Sequence, residues 1–525
     1  MQRRDLLKSV AAGAITLATP TVVRAQSSRL LKFISQADLA SLDPVWTTAD
    51  VTRNYSLAVF DTLYGLDESF QPQLQMLAGA TTSPDGLTWE LTLRDGLKFH
   101  DGEPVLARDC VASLNRFGRR DSLGMELMLR TAELAAPSDK LIRFRLKTPF
   151  GLLPTTLAQY GSAIMPERVA KTDAFTQMSE VVGSGPFSFN VKERISGHLA
   201  VFERFAGYVP RPDGKPSFSA GPKIVNFDRV EWQTPPDPAT CAQALINKEV
   251  DWWENPTIDL IPSFARDKSI AVEVHDVTGE IGCLRFNQLF APFNNAAIRR
   301  VVMKAVNQAD FMQSVAGAVP KLIKNDVGIF VPGTPLASKD GVEATRGSTD
   351  YAALKAELIA AGYKGEKIVL LGATTIPSIY AIAQVTADML TKMGFNLDFQ
   401  TLEWGTVVQR RASKEPIDKG GWSIFMTFLG GAGNVSPGAN TSLRGNGPGA
   451  WFGWPVDEKM EALRSSWFNA PDFAAQQKIT AAMQAEYFQA VPYVALGMYD
   501  APTAFHTNLV DIRMGYPQFY GVKRV

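Results

Sequence analysis

The sequence predicts an α/β protein with more than one lobe. Its 525 residues exceed what one hydrophobic core normally holds. Residues 225–251 follow a strand-helix-strand pattern, and residues 367–402 follow a second one. Each pattern indicates a right-handed crossover between parallel strands, so each half of the chain is expected to have its own sheet. No fixed-period repeat is visible, which argues against solenoids and propellers.

Composition narrows the class of partner. The chain is 46% apolar and 20% charged, with a formal net charge of zero. A chain without excess positive charge is not expected to bind nucleic acid or an anionic membrane as its main partner. The three cysteines are scattered along the sequence, and an odd, dispersed set cannot form a disulfide framework.

The first 25 residues are expected to be a cleaved signal peptide. Arg3-Arg4 resembles a twin-arginine export motif, an apolar run follows at residues 9–23, and Ala25 ends a plausible cleavage site. The alternative is an uncleaved membrane anchor, but the apolar run is short for a bilayer and Pro20 interrupts it. We therefore expect export to the periplasm, by the twin-arginine route.

The mature chain opens with a predicted strand at residues 29–35, followed by Leu42-Asp43-Pro44 and a helix through residues 54–60. The most informative run is residues 83–117. It begins with a Pro-Asp-Gly turn, alternates apolar and polar residues as a half-buried strand does, passes two more Asp-Gly turns and enters an apolar-faced helix.

Further elements follow the same rules. Strands are predicted at 140–147, 199–205, 225–232, 367–371 and 395–402, and helices at 239–246, 297–305, 351–361 and 378–393. Residues 272–287 are predicted to form one long strand that crosses into the second lobe. An apolar, aromatic strand beginning near Gly420 runs into a glycine-rich loop that ends at Asn434.

The run at 83–117 also carries a family signature. The matching positions are Asp85-Gly86-Leu87-Thr88, Leu93-Arg94-Asp95-Gly96, Lys98-Phe99-His100-Asp101-Gly102, Pro104, Ala107, Asp109 and Ser113. This pattern closely resembles that of the periplasmic solute-binding proteins of ABC importers, in the peptide and nickel group (family 5, dipeptide- and oligopeptide-binding-like). Gly183-Ser184-Gly185-Pro186-Phe187 resembles a second element of that family.

The resemblance implies a periplasmic-binding-protein type of α/β fold, with two lobes joined by a two-segment hinge and an extra α+β subdomain. It assigns residues 26–60, 183–280 and 500–525 to lobe I, residues 61–182 to the subdomain that carries the signature, and residues 281–499 to lobe II. It also implies the function of an extracytoplasmic receptor. Such a monomeric protein binds a small solute between its lobes, closes around it and delivers it to an ABC importer permease.

The sequence offers little for catalysis. His100, His198, His275 and His506 are far apart, and neither a G-x-S-x-G elbow nor a phosphate-binding loop is present. We therefore expect no enzyme activity and no cofactor. Two alternatives remain open: an exported enzyme or metal- or cofactor-carrying protein on the same fold, and a receptor that signals through a partner protein.

Candidate ligand-binding residues come from both lobes, because closure requires contacts from both. In the first lobe they follow a strand end, and in the second they lie on the loops and strand that line the family's pocket. They are Gln36, Asp38, Trp46, Asp50, Trp404, Arg410, Trp422, Phe425, Thr427, Phe428, Gly430, Gly431 and Asn434.

One departure from the family bears on the solute. Peptide-binding members place a carboxylate near the position of Gly431 to hold the α-ammonium group, but residues 420–442 contain no Asp or Glu. A solute with a free amino terminus is therefore disfavoured unless another carboxylate takes this role, with Asp38, Asp50 and Glu403 as candidates. Arg410, Arg411 and Arg444 are candidates for an anionic group of a peptide-like or amide-rich solute.

Overall fold

The computed structural model describes residues 29–264, 266–470 and 472–525, so the expected signal peptide lies outside the described residues. The strands are β1 Leu30–Ile34, β2 Tyr64–Leu66, β3 Pro72–Leu74, β4 Leu77–Thr82, β5 Thr88–Leu93, β6 Thr131–Ala135, β7 Leu141–Leu146, β8 Phe187–Phe189, β9 Leu199–Arg204, β10 Arg229–Gln233, β11 Trp252–Trp253, β12 Ile270–Glu273, β13 Glu280–Phe286, β14 Ile323–Lys324, β15 Lys367–Ala373, β16 Asn396–Leu402, β17 Ile424–Gly430, β18 Tyr493–Tyr499, β19 Thr503–His506, β20 Leu509–Val510 and β21 Lys523–Arg524.

The α-helices are α1 Asp50–Val59, α2 Ala107–Phe117, α3 Ser122–Arg130, α4 Leu153–Thr156, α5 Glu167–Ala170, α6 Pro238–Ile246, α7 Ile261–Phe264, α8 Ala296–Ala305, α9 Gln308–Ala316, α10 Tyr351–Ala360, α11 Pro377–Lys392, α12 Trp404–Arg410, α13 Glu458–Phe468 and α14 Phe473–Ala490. Across the described ranges, no helix is both long enough and apolar enough to cross a membrane.

The first lobe is built on a seven-stranded sheet in the order β12-β19-β11-β1-β10-β9-β8. β1 is central and runs parallel to both β10 and β11, as the strand-helix-strand pattern predicts. Aromatic rings fill the core on one face, where Phe33 lies 5.7 Å from Trp232 and 5.0 Å from Phe519 between ring centroids. Because Phe519 and β19 belong to the C-terminal segment, the end of the chain returns to this lobe, as expected.

The second lobe is built on a six-stranded sheet in the order β14-β18-β13-β17-β15-β16. β15 is parallel to its neighbours β16 and β17, and α11 connects β15 to β16. On the other side of β17, β13 pairs antiparallel with both β17 and β18. The carboxyl end of β17 therefore meets the amino end of β13 at one edge of the sheet.

The signature run belongs to a separate unit with its own core. β4, β5, β7 and β6 form an antiparallel sheet in that order, and α2 packs against it. Leu91, Leu93 and Leu114 are buried in this core, while Thr92 on the opposite face of the strand is exposed. The alternation of apolar and polar residues in this strand therefore reflects one face buried in the core and one face exposed.

Buried polar contacts attach this unit to the first lobe. Asp43 of the Leu-Asp-Pro motif accepts hydrogen bonds from Arg116 Nη1 at 2.9 Å and Nη2 at 2.6 Å, and both side chains are 1% exposed. His100 accepts from the Gly183 amide through Nδ1 and donates from Nε2 to the Gly185 carbonyl oxygen. Burial lowers the pKa of His100 to about 4, so this histidine is neutral at physiological pH and serves the junction between two units.

The two main sheets are joined by two short connections, residues 274–279 between β12 and β13 and residues 500–502 between β18 and β19. This architecture confirms the predicted α/β fold class. The seven-stranded sheet takes its strands from residues 30–34, 187–273 and 503–506, and the six-stranded sheet takes its strands from residues 280–499. The exact domain boundaries stay a prediction.

One predicted element is wrong. Residues 272–287 were expected to form a single strand, but the structure divides them into β12 and β13. The break is a turn in which Asp276 Oδ1 accepts hydrogen bonds from the Thr278 amide and hydroxyl, and Gly279 adopts a φ of 64°. A side-chain oxygen that bonds to the backbone two residues on offers the chain an alternative to the β ladder. This turn is the first of the two interlobe connections.

Candidate functional site

A cavity of about 350 Å³ lies between the two main sheets. Its first-lobe wall comes from the segment after β1 and the start of α1, and its second-lobe wall from the ends of β17 and β13 and the starts of α11 and α12. Polar and apolar groups share its lining, with Trp404, Phe428, Tyr499 and Tyr516 among the aromatic side chains. A concave site of this kind between two lobes suits a small organic solute.

The lobes contact each other around this cavity. Trp451 Nε1 donates a hydrogen bond to Thr48 Oγ1 at 3.1 Å, across the two lobes. At a second point Gly430 of β17 approaches the first lobe closely, since an added Cβ atom there would lie 3.2 Å from Arg53 Nη1. Gln177 of the subdomain also donates to Gln409 Oε1 at 3.3 Å.

Glu280 supplies the cavity with an unsatisfied carboxylate. It is the first residue of β13 and stands opposite Gly430 in the β13–β17 ladder. Its Oε2 atom is buried and has no hydrogen-bond partner within the described ranges. Burial, reinforced by the charge of Asp50, raises the pKa of Glu280 well above its usual value. A buried carboxylate without a partner is costly, and such groups commonly mark a place where a ligand supplies the missing donor.

Arg411 supplies an unsatisfied cation. It is 1% exposed, and its Nε has no partner among the residues described. Its guanidinium carbon lies 5.4 Å from the Trp404 ring centroid and 4.8 Å from that of Phe452, while Nη2 is 3.4 Å from Thr47 Oγ1. Burial lowers the pKa of Arg411 to about 10, which leaves it charged at neutral pH. No carboxylate of the described chain lies within ion-pair distance of it.

A buried ion pair completes the charged wall. Arg53 Nη1 binds Asp50 Oδ1 at 2.5 Å, and the guanidinium carbon lies 3.5 Å from the Tyr516 ring centroid. Glu254 lies behind this pair, and burial raises its pKa to about 7. Asp50 interacts electrostatically with Arg53, Arg411 and Glu280, so both orphan groups belong to one network.

Seven of the thirteen sequence-predicted binding residues line this cavity. They come from both lobes, as the closure argument required, and are Gln36, Asp50, Trp404, Thr427, Phe428, Gly430 and Asn434. Asn434 Nδ2 donates to the Gly430 carbonyl oxygen at 2.9 Å and so holds the glycine-rich turn against the end of β17.

The other six lie off its wall, and each has another environment. Trp422 and Phe425 are buried in the core of the second lobe, and Trp46 packs in the first-lobe core beside a second cavity. Arg410 donates to the Gly420 and Gly421 carbonyl oxygens and to Gln400, which fixes the loop before β17.

The last two of these six residues are Gly431 and Asp38. The Gly431 amide donates to the Gly279 carbonyl oxygen, and the close approach of that backbone leaves no room for a side chain. Asp38 is half-buried and does not line the cavity.

Sequence reasoning did not place Glu280, Arg53 or Tyr516 in the site. Glu280 and Gly430 are 150 positions apart, and only the strand register brings them together. The one available signal was that residues 272–287 join the lobes, because the start of such a crossing strand must face the cleft. Arg411 had been considered for an anionic group, but nothing in the sequence distinguished it from Arg410.

The described residues offer no site suited to a metal ion. No group of three or more His, Cys, Asp or Glu side chains converges anywhere in ranges 29–264, 266–470 and 472–525. Within the same ranges all three cysteines are buried. The cavity wall carries one carboxyl group, Glu280, and one guanidinium group, Arg411, that each have a hydrogen-bonding atom without a partner among the described residues.

Comparisons with known proteins agree with this reading. Residues 71–450 match the model of the bacterial extracellular solute-binding proteins, family 5 middle. A probable peptide ABC transporter periplasmic-binding protein, y4tO, of Sinorhizobium fredii is 35% identical over 517 residues, covering 98% of this chain and 97% of that one. The probable D,D-dipeptide-binding periplasmic protein DdpA of Escherichia coli is 24% identical over 429 residues, covering 78% of each.

Solved structures share the fold. The binding protein AgaA from A. tumefaciens R10, in complex with agropinic acid, has a TM-score of 0.77 at 21% identity and covers 94% of this chain and 99% of its own. A dipeptide-binding protein from Pseudoalteromonas sp. SM9913, in complex with Met-Leu, has a TM-score of 0.77 at 18% identity, with 94% and 100% covered. The match to the family model and the relative of nearly equal length confirm the resemblance read from residues 83–117. The chain belongs to family 5 of the bacterial extracellular solute-binding proteins.

Proposed function

We propose that this protein is the extracytoplasmic receptor of an ABC importer and that it binds a small zwitterionic, peptide-like solute in the interlobe cavity. The observation that carries this proposal is the pair of buried atoms without hydrogen-bond partners among the described residues, Glu280 Oε2 and Arg411 Nε, which belong to two residues on the wall of one interlobe cavity. An ammonium group and a carboxylate on one solute would satisfy both. Each contact is a charge-assisted hydrogen bond in a site shielded from water, which is the strong kind.

Glu280 supplies the carboxyl group whose absence from residues 420–442 disfavoured a solute with a free amino group. Residues 420–442 lack a carboxylate, but the neighbouring strand places one opposite Gly430. A solute with a free amino group is therefore compatible with the site. The relatives y4tO and DdpA are named for peptide and D,D-dipeptide binding, and that chemistry includes the same two charged ends.

Closure around the solute is the proposed mechanism. Solute contacts to Glu280 from the second lobe and to Asp50 or Arg53 from the first would favour the closed form, because only that form offers both walls. The two connections at residues 274–279 and 500–502 are the proposed hinge, and Glu280 directly follows the first. The closed monomer then delivers the solute to the membrane permease.

We infer that the protein is not an enzyme. Its family consists of solute-binding proteins, and the alternative of an exported enzyme or cofactor carrier gains no support from the cavity chemistry. Family members are extracellular, and we propose a periplasmic location reached through twin-arginine export and cleavage after Ala25.

The test is to identify the solute. Mass spectrometry of small molecules released when the purified protein is denatured should find a compound with a free amine and a carboxylate. Adding that compound back at a hundredfold excess over its dissociation constant should stabilise the protein by about 2.7 kcal/mol. A released compound that lacks either charged group, yet stabilises the protein fully, would contradict the zwitterion proposal.

A further inference from the structure

A second cavity of about 290 Å³ adjoins the first. The two share wall residues, including Thr48, Tyr160, Thr441 and Trp451. The Trp451 indole that donates to Thr48 Oγ1 stands at their common boundary. A solute could therefore occupy the first cavity and extend into the second, which we call the side chamber.

Positive charge predominates on the described walls of the side chamber. Its charged residues are Arg119, Arg120, Lys414, Arg444 and Asp121. Arg119 is largely exposed and lies 3.6 Å from Asp173, so it is partly compensated. Arg120 donates to the Trp46 carbonyl oxygen and faces the Phe175 ring, without a carboxylate of its own in the described chain.

Two of these cations have unused donors. Arg444 is 8% exposed and binds Glu461 through Nε, but its Nη1 atom is buried and has no partner among the residues described. Lys414 Nζ lies 5.3 Å from the Trp454 ring centroid, and no carboxylate of the described ranges pairs with it. A buried guanidinium nitrogen with no acceptor is the same sign of a missing ligand group as that at Arg411.

Asp121 does not neutralise this charge. Its Oδ1 atom caps α3 by accepting hydrogen bonds from the Leu123 and Gly124 amides. Burial raises the pKa of Asp121 to about 6, so it is mostly ionised at neutral pH and offsets only one of the four positive charges on this wall. The wall also contains aromatic residues, among them Trp451, Phe452 and Trp454.

We propose that the side chamber binds an anionic group carried on the side chain or tail of the solute whose charged ends occupy the first cavity. Arg444 Nη1 and Lys414 Nζ donate to this anionic group, and the Trp451 and Trp454 rings contact the chain that leads to it. The inference rests on the proposed function and narrows it to solutes with a second negative charge. An apolar or cationic extension would leave Arg444 Nη1 without an acceptor, and a neutral amide would offer only the weaker, uncharged hydrogen bond.

The test compares three dipeptides that differ only beyond Cγ of the second residue. Isothermal titration with Ala-Glu, Ala-Gln and Ala-Leu should give an affinity for Ala-Glu about tenfold higher than for the other two, as expected for a charge-assisted contact in a partly shielded site. Lys414→Gln and Arg444→Gln should each reduce this preference at least threefold. The matched control is Lys364→Gln, because Lys364 is exposed and lines neither cavity.

Lys414 is exposed, so its substitution leaves the fold intact and keeps the comparison valid if Arg444→Gln unfolds the protein. Equal affinities for Ala-Glu and Ala-Gln would overturn the side-chamber assignment and leave the proposed function standing. A preference for Ala-Glu that Lys414→Gln does not change would also overturn it. Failure of all three dipeptides to bind would contradict the proposed function, and the inference with it.

Discussion

Glu280 and Gly430 face each other in adjacent antiparallel strands at the edge of the second-lobe sheet, where the lobes meet. Gly430 has no side chain, and the Asp50–Arg53 ion pair of the first lobe approaches it from the other side. A larger residue there would occupy the space beside the carboxylate. The pair thus combines an unsatisfied acceptor with room for the group that would satisfy it.

Replacing the Glu280 carboxylate should weaken solute binding. Glu280→Gln keeps the size of the side chain but removes its negative charge, so the solute ammonium loses a charge-assisted bond of about 1.5–3 kcal/mol. The dissociation constant should rise tenfold to hundredfold in isothermal titration. Glu403→Gln is the matched control, since Glu403 is exposed and does not line the cavity. Equal losses from both variants would contradict the assignment.

Binding should release protons and strengthen as the pH rises towards the raised pKa of free Glu280. Burial raises the pKa of free Glu280, and a bound ammonium lowers it, so the complex holds fewer protons than the free protein. Titration in two buffers with different ionisation enthalpies would measure the proton release.

Two further carboxyl groups have raised pKa values, Glu254 at about 7 and Asp121 of the cavity wall at about 6. The pH dependence should disappear in Glu280→Gln if Glu280 is responsible. Its persistence in that variant would transfer the effect to Glu254 or Asp121 and contradict the prediction.

Substitutions of the adjacent residues Arg410 and Arg411 should have different effects, one on thermal stability and the other on solute affinity. Arg411→Gln removes an unsatisfied buried cation, so the free protein should melt no lower than the wild type while its affinity for the solute falls at least tenfold. Arg410→Gln removes three hydrogen bonds around the loop before β17, so it should lower the melting temperature with little change in affinity. Calorimetry and titration of both variants check this, and a reversed pattern would refute the assignment of Arg411 to the cavity.

Gly431 and Gly433 should differ sharply in how well they tolerate replacement by alanine. A Cβ atom on Gly431 would lie 2.0 Å from the Thr278 carbonyl oxygen, which is backbone and cannot move aside easily, whereas one on Gly433 would meet nothing within 4 Å. Gly431→Ala should therefore destabilise the protein by about 1–3 kcal/mol, and Gly433→Ala should change its stability by less than about 0.5 kcal/mol. Equal midpoints of denaturant unfolding for the two variants would contradict this prediction, because they would show that the turn shifts to accommodate the Cβ atom at residue 431.

The sequence predicts elements best where local pattern determines them. β5 and α11 follow from alternation and helical spacing, because one face of each is buried against a core. The turn at Asp276 was missed because apolar residues lie on both sides of it, Val272 and Val274 before it and Ile281 after it. Nothing in that pattern reveals that the Asp276 carboxylate bonds to the backbone.

The site was harder to predict because it depends on the register between strands and on the direction in which each side chain points from its helix or strand. Arg410 and Arg411 are adjacent near the end of α12 and point in directions about 100° apart, yet only the packed structure shows which one meets the cavity. Trp422 and Phe425 have the composition of pocket residues but face the core of the lobe. Glu280 required the pairing of two strands that are distant in sequence.

The central claim is that a zwitterion bridges Glu280 and Arg411, and blocked dipeptides test it most directly. Isothermal titration would compare Ala-Phe with its N-acetylated and its C-amidated forms. Our account predicts that Ala-Phe binds and that either modification lowers its affinity at least tenfold, because each removes one charge from a buried pair. Binding of both blocked forms as tightly as Ala-Phe would contradict it.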